Sequence, residues 1–120
     1  MDGIINLANL FGRKPIPIGS SDRAMLGSIY RRADGSPCRF MHWQITLIWY
    51  ESRERCGWMV DVYPIAEGKA FWQVTPIFHT LYPSTFEQAW KLSEMLRAKS
   101  EADQLTQHYV SPYWDEWEII

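Results

Sequence analysis

The chain has 120 residues, with 12 Lys and Arg against 14 Asp and Glu, a formal net charge of −2 and 15% aromatic side chains. This length fits one domain that can bury an ordinary core without disulfide or metal staples. The aromatic content excludes a disordered chain, and no run of about 18 apolar residues is present that would span a membrane.

The first 21 residues are predicted to form a short helix followed by an extended arm. The apolar residues of 3–11 have the spacing of one helix face, but such a helix is too short to be stable without docking. Two prolines break regular structure in 12–21. The N-terminus lacks a basic leader before an apolar core, so we expect no secretory signal and a cytoplasmic protein.

Residues 22–32 fit two different structures. Their apolar side chains follow helical spacing after a serine that is suited to cap a helix. The pair Asp34-Gly35 is instead a strong signal for a two-residue hairpin turn. A hairpin centred there makes 22–32 a strand and pairs Leu26 with Trp43. We favour the strand, because it extends the apolar face of the strands that follow.

Two strands over 39–50 and 57–65 are the clearest elements of the chain. Both alternate in side-chain character and are rich in aromatic and β-branched residues, and the loop between them is charged. Pairing Trp49 with Trp58 sets apolar side chains opposite each other along one face. A slip of one residue would oppose apolar and polar side chains, so this register is predicted.

A third strand is predicted over 69–78. A three-residue connection with Gly68 in the left-handed conformation would join it to the second strand and form a bulge. This connection pairs Val62 with Trp72. Pro76 cannot donate to a ladder hydrogen bond, so the strand is expected at an edge of the sheet.

A long helix follows the strands. Ser84 and Glu87 match a capping box, and apolar residues then recur at helical spacing towards Leu105. Pro112 ends any helix. The last residues, 111–120, form an acidic and aromatic tail.

These elements predict an α+β domain: a four-stranded antiparallel β-meander with one long helix from the C-terminal half packed on one face, and a short N-terminal helix. The whole of 1–120 is read as one domain, with a helix and arm in 1–21, the α+β core in 22–110 and the tail in 111–120. The predicted core face consists of Leu26, Tyr30, Met41, Trp43, Ile45, Leu47, Trp49, Trp58, Val60, Val62, Trp72, Val74 and Phe78.

Sequence motifs for catalysis, cofactors and metals are absent. The chain has no P-loop, dinucleotide fingerprint, serine nucleophile elbow or paired-histidine zinc motif. Cys38 and Cys56 lack metal-ligand spacing, which favours free thiols. We therefore expect no cofactor and no metal, and an enzyme is less favoured than a binding protein. An enzyme would use His42 with Asp61, an acid in the middle of a strand.

The face of the predicted sheet opposite the helix is too apolar for idle solvent exposure and too polar for a sealed core. We call it the second face, and its strand residues are Ile29, Phe40, His42, Gln44, Thr46, Ile48, Met59, Asp61, Tyr63, Phe71, Gln73 and Thr75. The residues predicted to contact a partner protein are Phe40, His42, Tyr63 and Phe71 on this face and Trp114, Asp115, Glu116 and Trp117 on the tail. The alternative is that the chain's own termini cover the face.

These features predict a small non-enzymatic protein-binding module, an inhibitor or accessory factor of the size often encoded by phage and other mobile elements. A homodimer through the second face or an edge strand is an additional expectation. The first alternative is single-stranded nucleic-acid binding, with bases stacked on the aromatic side chains of the second face and Arg31, Arg32 and Arg39 at the phosphates. The net acidic chain makes nucleic acid the less favoured partner. The second alternative is the enzyme with His42 and Asp61.

Overall fold

The computed structural model describes residues 3–29, 39–68, 76–80 and 82–109. It confirms the α+β class, because an antiparallel sheet carries a long helix on one face. The elements are strands β1 (Gly3–Gly12), β2 (Ile16–Pro17), β3 (Phe40–Ser52), β4 (Cys56–Ala66) and β5 (Phe78–His79), and helices α1 (Ser20–Ile29), α2 (Phe86–Glu101) and α3 (Leu105–Tyr109).

The hairpin of β3 and β4 is the centre of the sheet, and its predicted register is confirmed. Trp49 pairs with Trp58, and Ile45 pairs with Val62. Both strands alternate aromatic and β-branched residues with other types, and such side chains pack well on a pleated surface. One face of the hairpin is therefore continuously apolar, and α2 packs against it.

Residues 3–12 form a strand, so the predicted N-terminal helix is wrong. Strand β1 pairs antiparallel with β3, with Phe11 opposite Leu47, and β2 continues along the same edge with Ile16 opposite Trp43. A short apolar run does not distinguish helix from strand by its periodicity. The outer edge of β3 decides between them here, because its backbone groups need hydrogen-bond partners.

Helix α1 replaces the strand that was favoured over 22–32, and the predicted pairing of Leu26 with Trp43 is wrong. The edge of β3 that this strand would have used is taken by β1 and β2. The helical alternative is the correct one, and it buries Leu26 completely. The predicted turn at Asp34-Gly35 lies outside the described residues.

The third strand differs in register from the prediction. Gly68 has a φ of +79°, which confirms a left-handed turn after β4. Val62, however, pairs with Phe78 rather than with Trp72. The prediction assumed that pairing resumes directly after Gly68, whereas in the described residues Phe78 and His79 pair with β4, so the predicted register is wrong. Residues 69–75 lie outside the described residues.

Helix α2 begins one residue later than predicted. Its N-cap is Thr85, whose hydroxyl accepts from the Gln88 backbone N–H at 3.1 Å, while the Gln88 side chain accepts from the Thr85 N–H at 3.2 Å. The predicted capping box of Ser84 and Glu87 is therefore wrong by one position. Ser84 instead makes two backbone hydrogen bonds with Trp58, of 2.7 and 2.9 Å, which fix the start of α2 to β4.

Two carboxylates join the turn after α2 to α1. Asp103, with a φ of +59°, accepts from the backbone N–H groups of Ser21 and Asp22, at 2.8 Å each. Asp22 is fully buried and accepts from the backbone of Leu105 and from the backbone and hydroxyl of Thr106. Each carboxylate thus caps the helix start of the other segment, and we call this arrangement the carboxylate lock. Helix α2 therefore ends at Glu101. The predicted continuation of this helix towards Leu105 is wrong.

The core lies between α2 and the apolar face of the sheet. Most of the predicted core residues that the structure describes are buried, namely Leu26, Trp43, Ile45, Leu47, Val60, Val62 and Phe78. Three of them, Met41, Trp49 and Trp58, are only partly buried. The remaining predicted core residues, Tyr30, Trp72 and Val74, lie outside the described residues.

Candidate functional site

The second face of the sheet points away from α2, because successive side chains of a strand alternate between its two faces. As predicted, β3 places Thr46 opposite Asp61 and Gln44 opposite Tyr63. On the other side of β4, β5 places His79 opposite Asp61. The predicted register of the third strand, with Val62 opposite Trp72, had put Gln73 at that place. A carboxylate in the middle of β4 thus lies between a threonine and a histidine.

A cavity of about 270 Å³ opens on this face beside Asp61. We call it the Asp61 pocket, and its lining residues are Ile48, Tyr50, Met59, Asp61, Pro76 and His79. Its walls are largely aliphatic and aromatic, with a carboxylate and an imidazole as polar groups. The volume lies just below the range of about 300–1,000 Å³ that is usual for small-molecule sites, so it suits a ligand the size of one side chain.

The Asp61 carboxyl is partly desolvated. Burial raises the pKa of Asp61, and this effect exceeds the opposite effects of a hydrogen bond from Tyr63 and of the nearby His79. The Tyr63 hydroxyl donates to Asp61 Oδ2 at 3.0 Å. Within the described part of the chain, the lysine and arginine ion pairs all involve other carboxylates. Asp61 is therefore a desolvated acid that lacks a lysine or arginine partner there.

The neighbours of Asp61 serve as hydrogen-bonding groups more readily than as proton-transfer groups. Burial and the adjacent carboxylate raise the pKa of Tyr63, so this phenol stays protonated and acts as a donor. The Nδ1 atom of His79 lies 3.2 Å from the Thr80 carbonyl oxygen, where it can donate a hydrogen bond. The hydroxyl of Thr46 is fully buried and has no hydrogen-bond partner among the residues that the structure describes.

The residues predicted for the site fall into three groups. Phe40 and Tyr63 are only 4% and 8% exposed, whereas His42 is exposed. His42 lies opposite Ile65, four positions along β3 from the partner of Asp61, which is about 13 Å at the usual rise of a strand. His79, and not His42, is thus the histidine beside the carboxylate. The remaining predicted contact residues, Phe71, Trp114, Asp115, Glu116 and Trp117, lie outside the described residues, and their role stays a prediction.

Three lining residues of the pocket were not among the residues predicted for the second face. Tyr50 and Pro76 belong to the predicted first and third strands, and His79 directly follows the third. His79 is next to Asp61 only in the observed register of β5 and β4. The sequence did place His79 directly after an apolar strand. Its position opposite Asp61, however, depends on the register of that strand, which the apolar pattern did not fix.

A second exposed feature lies on the helix side of the sheet. We call it the aromatic surface, and its residues are Phe11, Trp49, Trp58, Phe86 and Trp90. Ring centroids are 5.1 Å apart for Trp58 and Phe86 and 5.7 Å apart for Phe11 and Trp90, both edge to face. Phe11 and Phe86 are 46% and 41% exposed, and a shallow groove runs beside Trp58. These rings connect α2 to the sheet.

The described residues offer little for metal chemistry. No group of three His, Cys, Asp or Glu side chains among them is arranged to hold a metal ion. Cys56 is an exposed free thiol, and Cys38 lies outside the described residues. None of the described helices combines the length and the apolar character that crossing a membrane requires.

Comparisons of the chain with protein-family models, with curated protein sequences and with solved structures find no match. Likeness to a known protein therefore assigns neither an activity nor a partner. The Asp61 pocket and the aromatic surface are the two features of the described residues from which a function can be inferred.

Proposed function

We propose that this chain is a small non-enzymatic module that binds another protein through the second face of its sheet. It acts as an inhibitor or accessory factor by occupying a surface of that partner. The observation that supports the proposal is Asp61, a desolvated carboxylate that opens into an apolar pocket. A desolvated acid is costly for folding and is explained when a binding partner supplies the missing cation. The partner is accordingly one that presents a basic and apolar surface.

The second face supports this proposal better than the aromatic surface does. Phe11, Phe86 and Trp90 contact one another, and the Arg13 guanidinium stacks 4.1 Å above the Trp90 ring while pairing with Glu94. Contacts between α2 and the sheet therefore account for those rings. Asp61 has a hydrogen bond from Tyr63 and His79 nearby, but within the described residues it forms no ion pair with a lysine or arginine.

Catalysis is the weaker candidate for the same pocket. Asp61 and His79 are cross-strand neighbours, which is a usual arrangement for a general base and the group that orients it. Among the described residues, however, the lining of the pocket contains no serine, cysteine or lysine that would serve as a nucleophile. A protein ligand requires only shape and charge, which the pocket supplies.

Capture from a lysate of the native host with the full-length chain tests the proposal. The variant Met59→Lys places a cation on the same strand face as Asp61, two positions away. Its side chain should fill the pocket and bring its ammonium group to Asp61. We expect the captured partner to fall at least about tenfold, because a charge-assisted hydrogen bond contributes about 1.5–3 kcal/mol. Quantitative mass spectrometry of the eluates measures this change.

The matched control is Met95→Lys, which makes the same chemical change at an exposed position of α2. It should capture the partner as the natural chain does, and so should Phe86→Ala on the aromatic surface. Loss of capture with Phe86→Ala and not with Met59→Lys would contradict the proposal. Self-association in light scattering without a captured protein would indicate a homodimer. Binding of single-stranded nucleic acid that weakens steeply with salt would indicate the nucleic-acid alternative.

A further inference from the structure

We infer that the Asp61 pocket receives the side chain of one lysine of the partner protein, with the ammonium group at Asp61 and the aliphatic stem against Ile48 and Met59. This inference rests on the proposed function and gives the chemistry of its central contact. It distinguishes a lysine on a protein surface from an arginine and from a free small amine.

The dimensions and walls of the pocket match a lysine stem. A cavity of about 270 Å³ holds one long side chain with room to spare. Ile48 and Met59 both line the pocket with apolar side chains, of which the first is buried and the second partly buried. Lysine commonly lays its methylene groups along such a surface while its charged end reaches a polar group. The half-buried Pro76 provides a further apolar wall.

The charge of the pocket is complementary to an ammonium group. Within the described residues, Asp61 forms no ion pair with a lysine or arginine. Its carboxyl is desolvated, so an incoming cation would restore the interaction that burial removed. The ring of Tyr50 also lines the pocket, and aromatic faces attract ammonium groups.

The hydrogen bond from Tyr63 favours lysine over arginine. It already engages Oδ2 of Asp61, at 3.0 Å. An arginine is recognised best when its planar fork donates to both oxygens of a carboxylate, whereas an ammonium is a compact point charge that needs one oxygen. With one oxygen engaged by Tyr63, the remaining oxygen suits the ammonium.

Three capped probes test this inference without any knowledge of the partner. They are Nα-acetyl-lysine amide, Nα-acetyl-arginine amide and Nα-acetyl-norleucine amide, and the last has an aliphatic stem but no charge. Each is titrated into the full-length chain while the methyl signals of Ile48 and Met59 are followed by NMR. We expect the lysine probe to bind with a dissociation constant in the millimolar range, because so few atoms contact the protein. Norleucine should bind at least about tenfold more weakly, because it lacks the charge-assisted hydrogen bond.

Variants decide whether Asp61 causes the preference. Asp61→Asn keeps the shape and an acceptor for Tyr63, and it should abolish the preference for lysine over norleucine. The matched control Glu67→Gln removes the same charge at an exposed acid that pairs with Arg39, and it should leave the preference unchanged. Thermal unfolding of each variant verifies that the chain is folded.

Several outcomes would overturn the inference. Norleucine binding as tightly as lysine, or a preference that survives Asp61→Asn, would show that the carboxylate is not the recognition group. Tighter binding of the arginine probe would overturn the choice of lysine. Binding of n-butylammonium without binding of the capped lysine would identify a site for free amines. These results are independent of the lysate capture, which scores a protein partner and not the chemistry of the pocket.

Discussion

Burial makes the charged form of the Asp61 side chain unfavourable for folding, and the proposed function gives this residue a role in binding. It lies opposite the buried Thr46 on one side and His79 on the other. Burial raises the pKa of Asp61 above its ordinary value of 3.8. Among the described residues, His79 on β5 lies opposite it, Tyr63 on its own strand donates a hydrogen bond to it, and Tyr50 on β3 lines the same pocket.

This raised pKa predicts a dependence of stability on pH. Between pH 3.8 and the raised pKa, the folded chain binds more protons at Asp61 than the unfolded chain does. The contribution of Asp61 to the free energy of unfolding therefore falls as pH rises through this window, and it is fully present below it. Asp61→Asn should lack this decline, so its stability relative to the natural chain should rise with pH and then level off. Urea unfolding at a series of pH values measures the difference.

The same series with Glu67→Gln is the control, because this variant removes the charge of an acid whose side chain is 62% exposed. It should show no comparable change of relative stability in that window. A difference between Asp61→Asn and the natural chain that stays constant with pH would contradict the expected role of desolvation.

At the scale of elements, the carboxylate lock decides where three helices start and stop. Asp103 caps α1, Asp22 caps α3, and the turn that carries Asp103 ends α2. Gly19 belongs to the same arrangement, because a side chain there would overlap the Asp103 carboxyl. The lock explains why α2 is shorter than its apolar spacing suggested.

Removing the Asp22 carboxylate tests how much the carboxylate lock contributes to stability. Asp22→Ala leaves two backbone N–H groups and the Thr106 hydroxyl without their buried acceptor. We expect the free energy of unfolding to fall by about 3 kcal/mol, which combines a lost cap with unsatisfied buried donors. Asp22→Asn keeps an acceptor oxygen and should lose less. Urea unfolding measures both variants, and a loss below about 1 kcal/mol for Asp22→Ala would contradict this account.

At the scale of the whole molecule, Arg13 joins the two layers. Arg13 directly follows β1, and its side chain is only 8% exposed. The guanidinium donates to Ser93 at 2.9 Å and pairs with Glu94 on α2 at 3.3 Å. Arg13→Ala should lower the free energy of unfolding by about 2 kcal/mol, because the variant removes a buried guanidinium together with its charged hydrogen bonds and its stacking on Trp90.

The control for this prediction is Arg39→Ala. Arg39 also pairs with an acid, Glu67, but the two side chains are 70% and 62% exposed and 3.7 Å apart. An exposed pair of this kind contributes at most about 1 kcal/mol, so the variant should change little. Equal losses for the two arginine variants would show that burial at the junction of the layers adds nothing. Thermal unfolding monitored by circular dichroism compares them.

How far the fold was predictable varied with the element. The register of β3 and β4 was predicted correctly, because a one-residue slip reverses every side chain. The segments that form β1 and α1 are only ten residues each, so apolar spacing alone did not distinguish helix from strand. The position of β5 depended on the length of a connection, to which the apolar pattern is insensitive. Asp61 was therefore recognised as unusual, with Thr46 as its neighbour, while His79 was missed.

The carboxylate lock also has a consequence for how the chain folds during synthesis. Its hydrogen bonds join residues 81 to 84 positions apart. A nascent chain that already contains α1 and the central hairpin has neither of the two caps until Asp103, Leu105 and Thr106 have left the ribosome. The final docking of α1 is therefore a late step, and a prematurely ended chain would retain a helix whose start has no acceptor.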